Sequence, residues 1–188
     1  MIIGLAGVAR SGKDSFFKFC KDTYFFKKPN LRFAFADELK KELNNFLIKN
    51  FYISAFTESP REKEIIRPML VGYGMSKRNI SNGKYWIDKV GKEINTKLND
   101  FNCFITDVRF ENEVDQIKKW GGFCIYVSRE SILAANGEEA ENDPIIKSKC
   151  THHFFWPNFN KEELLSDGIK NMPISFIKKI EHERRNYN

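Results

Sequence analysis

Ile2-Ile3-Gly4-Leu5-Ala6-Gly7-Val8-Ala9-Arg10-Ser11-Gly12-Lys13-Asp14-Ser15 is the stretch from which the rest of the chain is read. An apolar run suited to a short buried strand ends in the spacing GxxxxGK, and a helix-like segment over 15–24 follows. Strand, glycine-rich turn and helix in that order cradle a chain of phosphates. The glycines let backbone N–H groups come close to an anion. The helix N-terminus adds unpaired donors and partial positive charge, and Lys13 reaches along the phosphate chain. The loop from Gly7 through Arg10, Ser11, Gly12 and Lys13 to Asp14 and Ser15 is therefore the first candidate site. The plain alternative is a glycine turn followed by a surface lysine.

One position departs from the usual pattern. Ser or Thr ordinarily follows the lysine and gives its hydroxyl to Mg²⁺. Here Asp14 stands there and the hydroxyl comes at Ser15. Asp14 can ligate the metal as a hard oxygen donor, or it can cap the helix while Ser15 meets metal or phosphate. The residues alone leave both open.

Working outward, strand-like runs lie at 1–6, 31–36, 103–107 and 123–128, with a weaker one near 153–156. Helical patterns separate them. Leu39, Leu43, Phe46 and Leu47 recur at helical spacing, with Asp37 placed to cap that helix. Ser59-Pro60-Arg61-Glu62 combines a capping box with proline at the first helical position, and Pro68 predicts a break further on. An amphipathic helix is expected over 86–98. Val114, Ile117 and Trp120 mark another, closed by Gly121-Gly122. Alternating strands and helices predict an α/β domain with a mainly parallel sheet and ligands at the carboxyl ends of its strands.

The chain has 188 residues, which fits one domain with a full core. A helical insertion at about 37–100 reads as a cover for a second substrate. A polar excursion at about 129–150, containing Asn136-Gly137, reads as a mobile lid. Cys20, Cys103, Cys124 and Cys150 lack zinc spacing and read as buried thiols in a reducing compartment. No apolar run approaches the ~18 residues of a membrane span, and no leader pattern precedes the first strand, so a cytoplasmic protein is expected. The net charge of +6 is spread along the chain. Without a concentrated basic stripe, nucleic acid is not an expected partner. The basic tail from Lys178 to Arg185 reads as a solvated helix.

Ile105-Thr106-Asp107-Val108-Arg109-Phe110 is the second informative stretch. It ends a strand with a carboxylate and a guanidinium where the ligand crevice of such a sheet lies. Asp107 can hold Mg²⁺ through water, and Arg109 can fork onto a phosphate. The alternative is a helix cap at Asp107 with an Arg109–Glu113 pair. Arg61, Arg67, Lys77 and Arg78 crowd the insertion beside Tyr85 and Trp86, a combination that suits a nucleotide's phosphate and base. Arg67, between Ile66 and Pro68, reads as partly buried and in need of an anion. Arg129, after the fourth strand, can meet a transferring phosphoryl group or simply face water.

Four segments together resemble the deoxynucleoside monophosphate kinases of tailed bacteriophages. They are GLAGVARSGKDS (4–15) with its unusual GKD[ST] ending, FAFADELKKEL (33–43), IRPMLVGYGMSKRNISNGKYWIDKV (66–90), and FITDVRFENEVDQIKKWGG (104–122). A weaker echo is AANGEEAENDP (134–144). The resemblance implies a P-loop NTPase fold of three αβα layers, a five-stranded parallel sheet, a nucleotide-binding insertion and a lid. It implies transfer of the ATP γ-phosphoryl to a deoxynucleoside monophosphate with Mg²⁺, in host cytoplasm if the source is viral. By that likeness Lys13 holds the ATP phosphates, and Asp37, Lys40, Arg67, Arg78, Trp86 and Arg109 lie on the acceptor side. Asp14, Ser15 and Asp107 are the candidate metal ligands, and Lys13, Arg109 and Arg129 the catalytic set. The segment 130–150 has no arginine, which leaves Arg129, Lys147, Lys149 or Arg10 for the lid's part. Such relatives are often homodimers; the sequence leaves oligomeric state and base preference open. Rival readings are another small-molecule kinase, phosphomevalonate-kinase-like, and a nucleotide-binding module without transfer.

Overall fold

The structure is a computed structural model that describes residues 1–134, 137–158, 160, 162–163 and 166–186, residue 138 by its backbone only. Among these residues the order is β1 (Ile2–Ala6), α1 (Lys13–Cys20), β2 (Asn30–Phe33), α2 (Phe35–Phe51), α3 (Pro60–Ile80) and α4 (Tyr85–Lys97). Then come β3 (Asn102–Val108), α5 (Glu111–Lys119), β4 (Phe123–Arg129), α6 (Gly137–Lys149), β5 (His152–Trp156) and α7 (Asp167–Asn186). The five strands form one sheet in the order β2-β3-β1-β4-β5, and every pairing is parallel. No helix among the described residues is long and apolar enough to cross a membrane. The chain divides into two compact units, Met1–Phe33 with Asn95–Asn188, and Ala34–Ile94.

The first unit carries the whole sheet. Its central strands read as unbroken apolar runs because both faces are covered. Ile3, Leu5, Phe104, Ile125, Val127 and Phe154 share a core with Phe16, Phe17 and Cys20 of α1 and Ile177 and Ile180 of α7. Phe16 meets Phe154 edge-on at 4.9 Å between centroids. Each such fully buried ring contributes about 2–3 kcal/mol by area. The opposite face carries Ile2, Gly4, Ile105 and Cys124, covered by Val114 and Ile117 of α5 and Ile146 of α6. A Cβ on Gly4 would stand 2.7 Å from Cys124 Sγ and 2.8 Å from Ile117 Cδ1, so glycine there lets α5 lie close to the sheet. All four cysteines are buried and free.

Two buried asparagines settle the turn into β2. Asn102 Nδ2 donates to Phe25 O (2.6 Å) and Lys28 O (3.0 Å), and Asn30 Nδ2 donates to Cys20 O (2.8 Å). They hold a tight turn in which Phe26 and Lys27 both have positive φ, 47° and 61°.

The second unit is helical. Leu47, Ala55 and Ile66 form its small core, with Leu43, Ile53, Met69 and Leu70 packed around them. A polar clamp joins its three helices. Glu42 of α2 accepts from Tyr73 of α3 at 2.8 Å and Tyr85 of α4 at 2.7 Å, and pairs with Lys89. Burial alone would raise the Glu42 carboxyl, but hydrogen bonds from Lys89, Tyr85 and Tyr73 outweigh it and hold the group below its usual range. Glu42→Ala strands two phenols and an ammonium, and is expected to cost about 2 kcal/mol. Thermal melting should show a midpoint lowered by roughly 4–8 °C.

Four expectations about residues 31–68 change. The alternation Phe33-Ala34-Phe35-Ala36 suggests strand to 36, yet β2 stops at Phe33 and α2 begins at Phe35, with Ala34 as its N-cap. Asp37 is thus no cap. It lies in the first turn, where its charge favours the helix's positive end. At Pro68 the expected break is absent, and α3 runs through it. Proline forfeits one bond to the carbonyl four residues back, and both Pro68 and Glu64 lie on the exposed side. Ser59 does cap α3, accepting from Glu62 N at 3.5 Å behind Pro60, but Glu62 returns to the Thr57 hydroxyl instead of closing the box.

Candidate functional site

The loop between β1 and α1 leaves the carboxyl end of the central strand. Its shape depends on two glycines. Gly7 has φ 129° and Gly12 φ 94°. A Cβ on Gly7 would lie 2.2 Å from Val127 O, and one on Gly12 2.6 Å from Trp156 Nε1. Between them the chain turns tightly, with Ser11 N donating to Val8 O at 3.2 Å and Arg10 exposed at φ 64°. Gly12 is the N-cap of α1 and brings no capping side chain. Asp14 is exposed and Ser15 half-buried in the first turn, while Ser11 is fully buried.

Lys13 is folded into this loop. Only 8 % exposed, its Nζ donates to Gly7 O at 2.6 Å, Val8 O at 2.8 Å and Ser11 Oγ at 3.4 Å. Burial, with the Arg109 charge second, lowers its pKa to about 8 from 10.5; Glu139, Asp14 and Asp107 pull it the other way. The lowered value has a sign that can be measured. An anion arriving at Lys13 favours the ammonium form and raises that pKa, so binding takes up a proton near pH 8. Affinity for an anionic ligand is expected to fall as pH rises through about 8. Calorimetry in buffers of different ionisation enthalpy checks the proton uptake. In the free protein the same shift means that the folded state sheds the Lys13 proton first. Lys13 therefore lends stability that grows between about pH 8 and 10.5.

The ends of β3 and β4 flank this loop, because β1 pairs with both strands. The β1–β3 register runs Gly4↔Ile105 and then Ala6↔Val108, so Thr106 and Asp107 together oppose Leu5. Such a bulge re-aims the side chains at a strand end. Asp107 is half-buried there, and the buried Thr106 Oγ1 has no hydrogen-bond partner among the described residues. The Arg109–Glu113 side-chain pair does not form as the spacing suggests. Glu113, 4 % exposed, instead accepts from the backbone N–H of Arg109 at 2.8 Å and of Phe110 at 3.1 Å. It thereby fixes the turn between β3 and α5 and leaves the Arg109 guanidinium exposed. Arg129 is the last residue of β4, in register with Trp156 and half-buried.

The excursion at 129–150 is largely helix α6, and Asn136 lies outside the described residues. Its lysines are committed elsewhere. Lys149 binds Asp115 at 2.7 Å and Glu111 at 2.6 Å, and Lys147 lies 5.5 Å from the Tyr126 ring centroid. Near the helix start, Glu139 Oε1 accepts from Ala9 N at 2.9 Å. That contact joins residues 130 apart in the chain, and no local pattern announces it.

Within the first unit, then, Asp14, Asp107, Arg109 and Glu139 come within electrostatic reach of Lys13's ammonium. Asp37, Lys40, Arg67, Arg78 and Trp86 belong to the second unit. There Arg67 is exposed; the apolar neighbourhood that suggested burial belongs to Ile66, because adjacent helical residues point about 100° apart. Trp86 is 7 % exposed, and its Nε1 donates to Gly74 O at 3.1 Å. Its ring meets Tyr85 edge-on at 4.8 Å, so it packs the helices together instead of offering a face to a base. Lys40 stands 5.7 Å from the Phe56 ring centroid, and Arg78 is half-buried.

Comparison with protein-family models gives no match, and no curated protein matches the chain.

Proposed function

We propose that the chain is a P-loop kinase of the nucleoside monophosphate kinase type, transferring the γ-phosphoryl of ATP to a deoxynucleoside monophosphate. The observation that carries this reading is the β1–α1 loop: two obligatory glycines enclosing a buried lysine at the carboxyl end of the central strand. The strand order β2-β3-β1-β4-β5 supports it, since β1 lies between β3 and β4 and opens a crevice at the point where the order reverses. Ala9 N–H already carries an anionic oxygen, that of Glu139, which fits a loop made to take phosphate oxygens. The resemblance of the four segments names the acceptor class.

In this reading Lys13 and the loop amides hold the phosphate chain and neutralise its charge. Positioning and electrostatics account for most of the rate, as phosphoryl transfer requires. Asp14, Ser15 and Asp107 offer oxygen donors suited to Mg²⁺, which would screen the phosphate charge. Arg109 presents a planar fork to the acceptor or transferring phosphate. Arg129, closing β4, supplies the further cation that the charge of the transition state calls for. Asp37, Lys40, Arg67 and Arg78 are assigned to the acceptor nucleotide, and Trp86 supports them through packing.

Incubation with ATP, Mg²⁺ and each common deoxynucleotide and ribonucleotide monophosphate, followed by chromatography, tests the proposal. The expected product is a deoxynucleoside diphosphate, with base and sugar preference read from the same panel. ATP binding with no nucleotide phosphorylated would contradict the acceptor assignment and favour another small-molecule acceptor or a binding role.

A further inference from the structure

Ala9 holds a carboxylate on an amide of the loop read above as a phosphate cradle. Glu139 is half-buried, and its Oε1 lies 2.9 Å from Ala9 N. Its negative charge is felt at Lys13. The helix that carries it is well tethered. One turn beyond Glu139, Asp143 accepts from the Tyr126 hydroxyl at 2.6 Å, Ile146 is buried, and Lys149 is held by Asp115 and Glu111. These contacts fix α6 against β4 and α5 and deliver Glu139 to the loop at high effective concentration.

A backbone N–H serves one strong acceptor at a time, and two anions repel when brought to the same lysine. We propose that Glu139 is a built-in competitor of the phosphate chain: it occupies the loop amide of Ala9 in the free protein and must withdraw when a polyphosphate binds. This rests on reading the β1–α1 loop as a phosphate cradle. The tethered carboxylate satisfies a loop donor and offsets the Lys13 charge while the loop is empty. It also sets a threshold that favours multiply charged ligands, since a single weak anion cannot displace it.

The test uses the full chain, with MgATP and inorganic tripolyphosphate as probes in calorimetric titrations, and ¹⁵N amide spectra as the structural readout. Glu139→Gln keeps the shape and removes the charge; Glu139→Ala removes the acceptor altogether. Affinity for both probes is expected to rise about tenfold in the glutamine variant, as loss of a charge-assisted bond implies, and at least as much in the alanine variant. The Ala9 amide should move in the free variants and, in the wild type, on adding tripolyphosphate. Unchanged or weaker affinity in both variants, with wild-type binding still abolished by Lys13→Met, would overturn the competitor role and leave the cradle standing. Failure of wild type and variants alike to bind either probe would overturn both.

Discussion

Under the kinase function proposed above, Lys13→Met is expected to lower phosphoryl transfer at least about a thousandfold while leaving the fold intact, because the lysine's charge would act on phosphate and not on the core. The lysine is 8 % exposed, and burial lowers its pKa to about 8, so keeping it charged costs the folded state free energy. Methionine is unbranched and of similar length, and it fills the same volume without that cost. What the variant loses are bonds to Gly7 O, Val8 O and Ser11 Oγ, all within the loop itself. The two contributions oppose each other, and the thermal midpoint should stay within a few degrees of wild type. A chain that unfolds on this substitution would mark Lys13 as a structural residue whose main task is to hold the loop carbonyls.

Gly7→Ala is expected to act in the opposite way, through the fold. Its φ of 129° lies where residues with a Cβ are strained. The added carbon would also stand 2.2 Å from Val127 O. That oxygen belongs to the backbone of β4, which pairs with β1 along Ile3–Ala6, so it cannot retreat without opening the ladder. Strain and overlap together should cost roughly 3–5 kcal/mol, about 10 °C or more in thermal midpoint. Gly72→Ala is the matched control. It lies inside α3 with nothing within 4 Å of an added Cβ, and it should stabilise by about 0.5–1 kcal/mol. Equal melting of the Gly7 variant and wild type would show that the loop can be rebuilt around a side chain.

The residues differ in how plainly the sequence announces them. Gly7, Gly12 and Lys13 are legible because their demands are local: a strand, a turn with positive φ and a helix follow one another within fifteen residues. Gly121-Gly122 closes α5 for the same reason, with Gly122 N donating to Ile117 O at 3.0 Å. The start of α2 is less legible, since Phe33-Ala34-Phe35-Ala36 alternates like a strand. Phe35 is buried by a helix start, and burial alone does not distinguish the two. The spacing offers Glu113 as a partner for Arg109, but Glu113 also stands three residues after Phe110, the N-cap of α5, where a glutamate carboxylate turns back to backbone N–H groups. Trp86 misleads because an aromatic beside basic residues suits both a stacking platform and a helix-packing anchor; the bond to Gly74 O decides for packing. Asn102 and Glu139 lie beyond any local reading. Each bonds to backbone far away in sequence, and only the folded chain brings donor and acceptor together.

The β1–α1 loop as a phosphate cradle is the claim on which the rest depends, and amide spectra of the ¹⁵N-labelled protein during titration with ATP and Mg²⁺ test it most directly. The account predicts shifts concentrated on residues 7–15 and on the ends of β3 and β4 at Asp107, Arg109 and Arg129, all lost in Lys13→Met. Saturable shifts that leave residues 7–15 unmoved, or a spectrum indifferent to ATP, would contradict it.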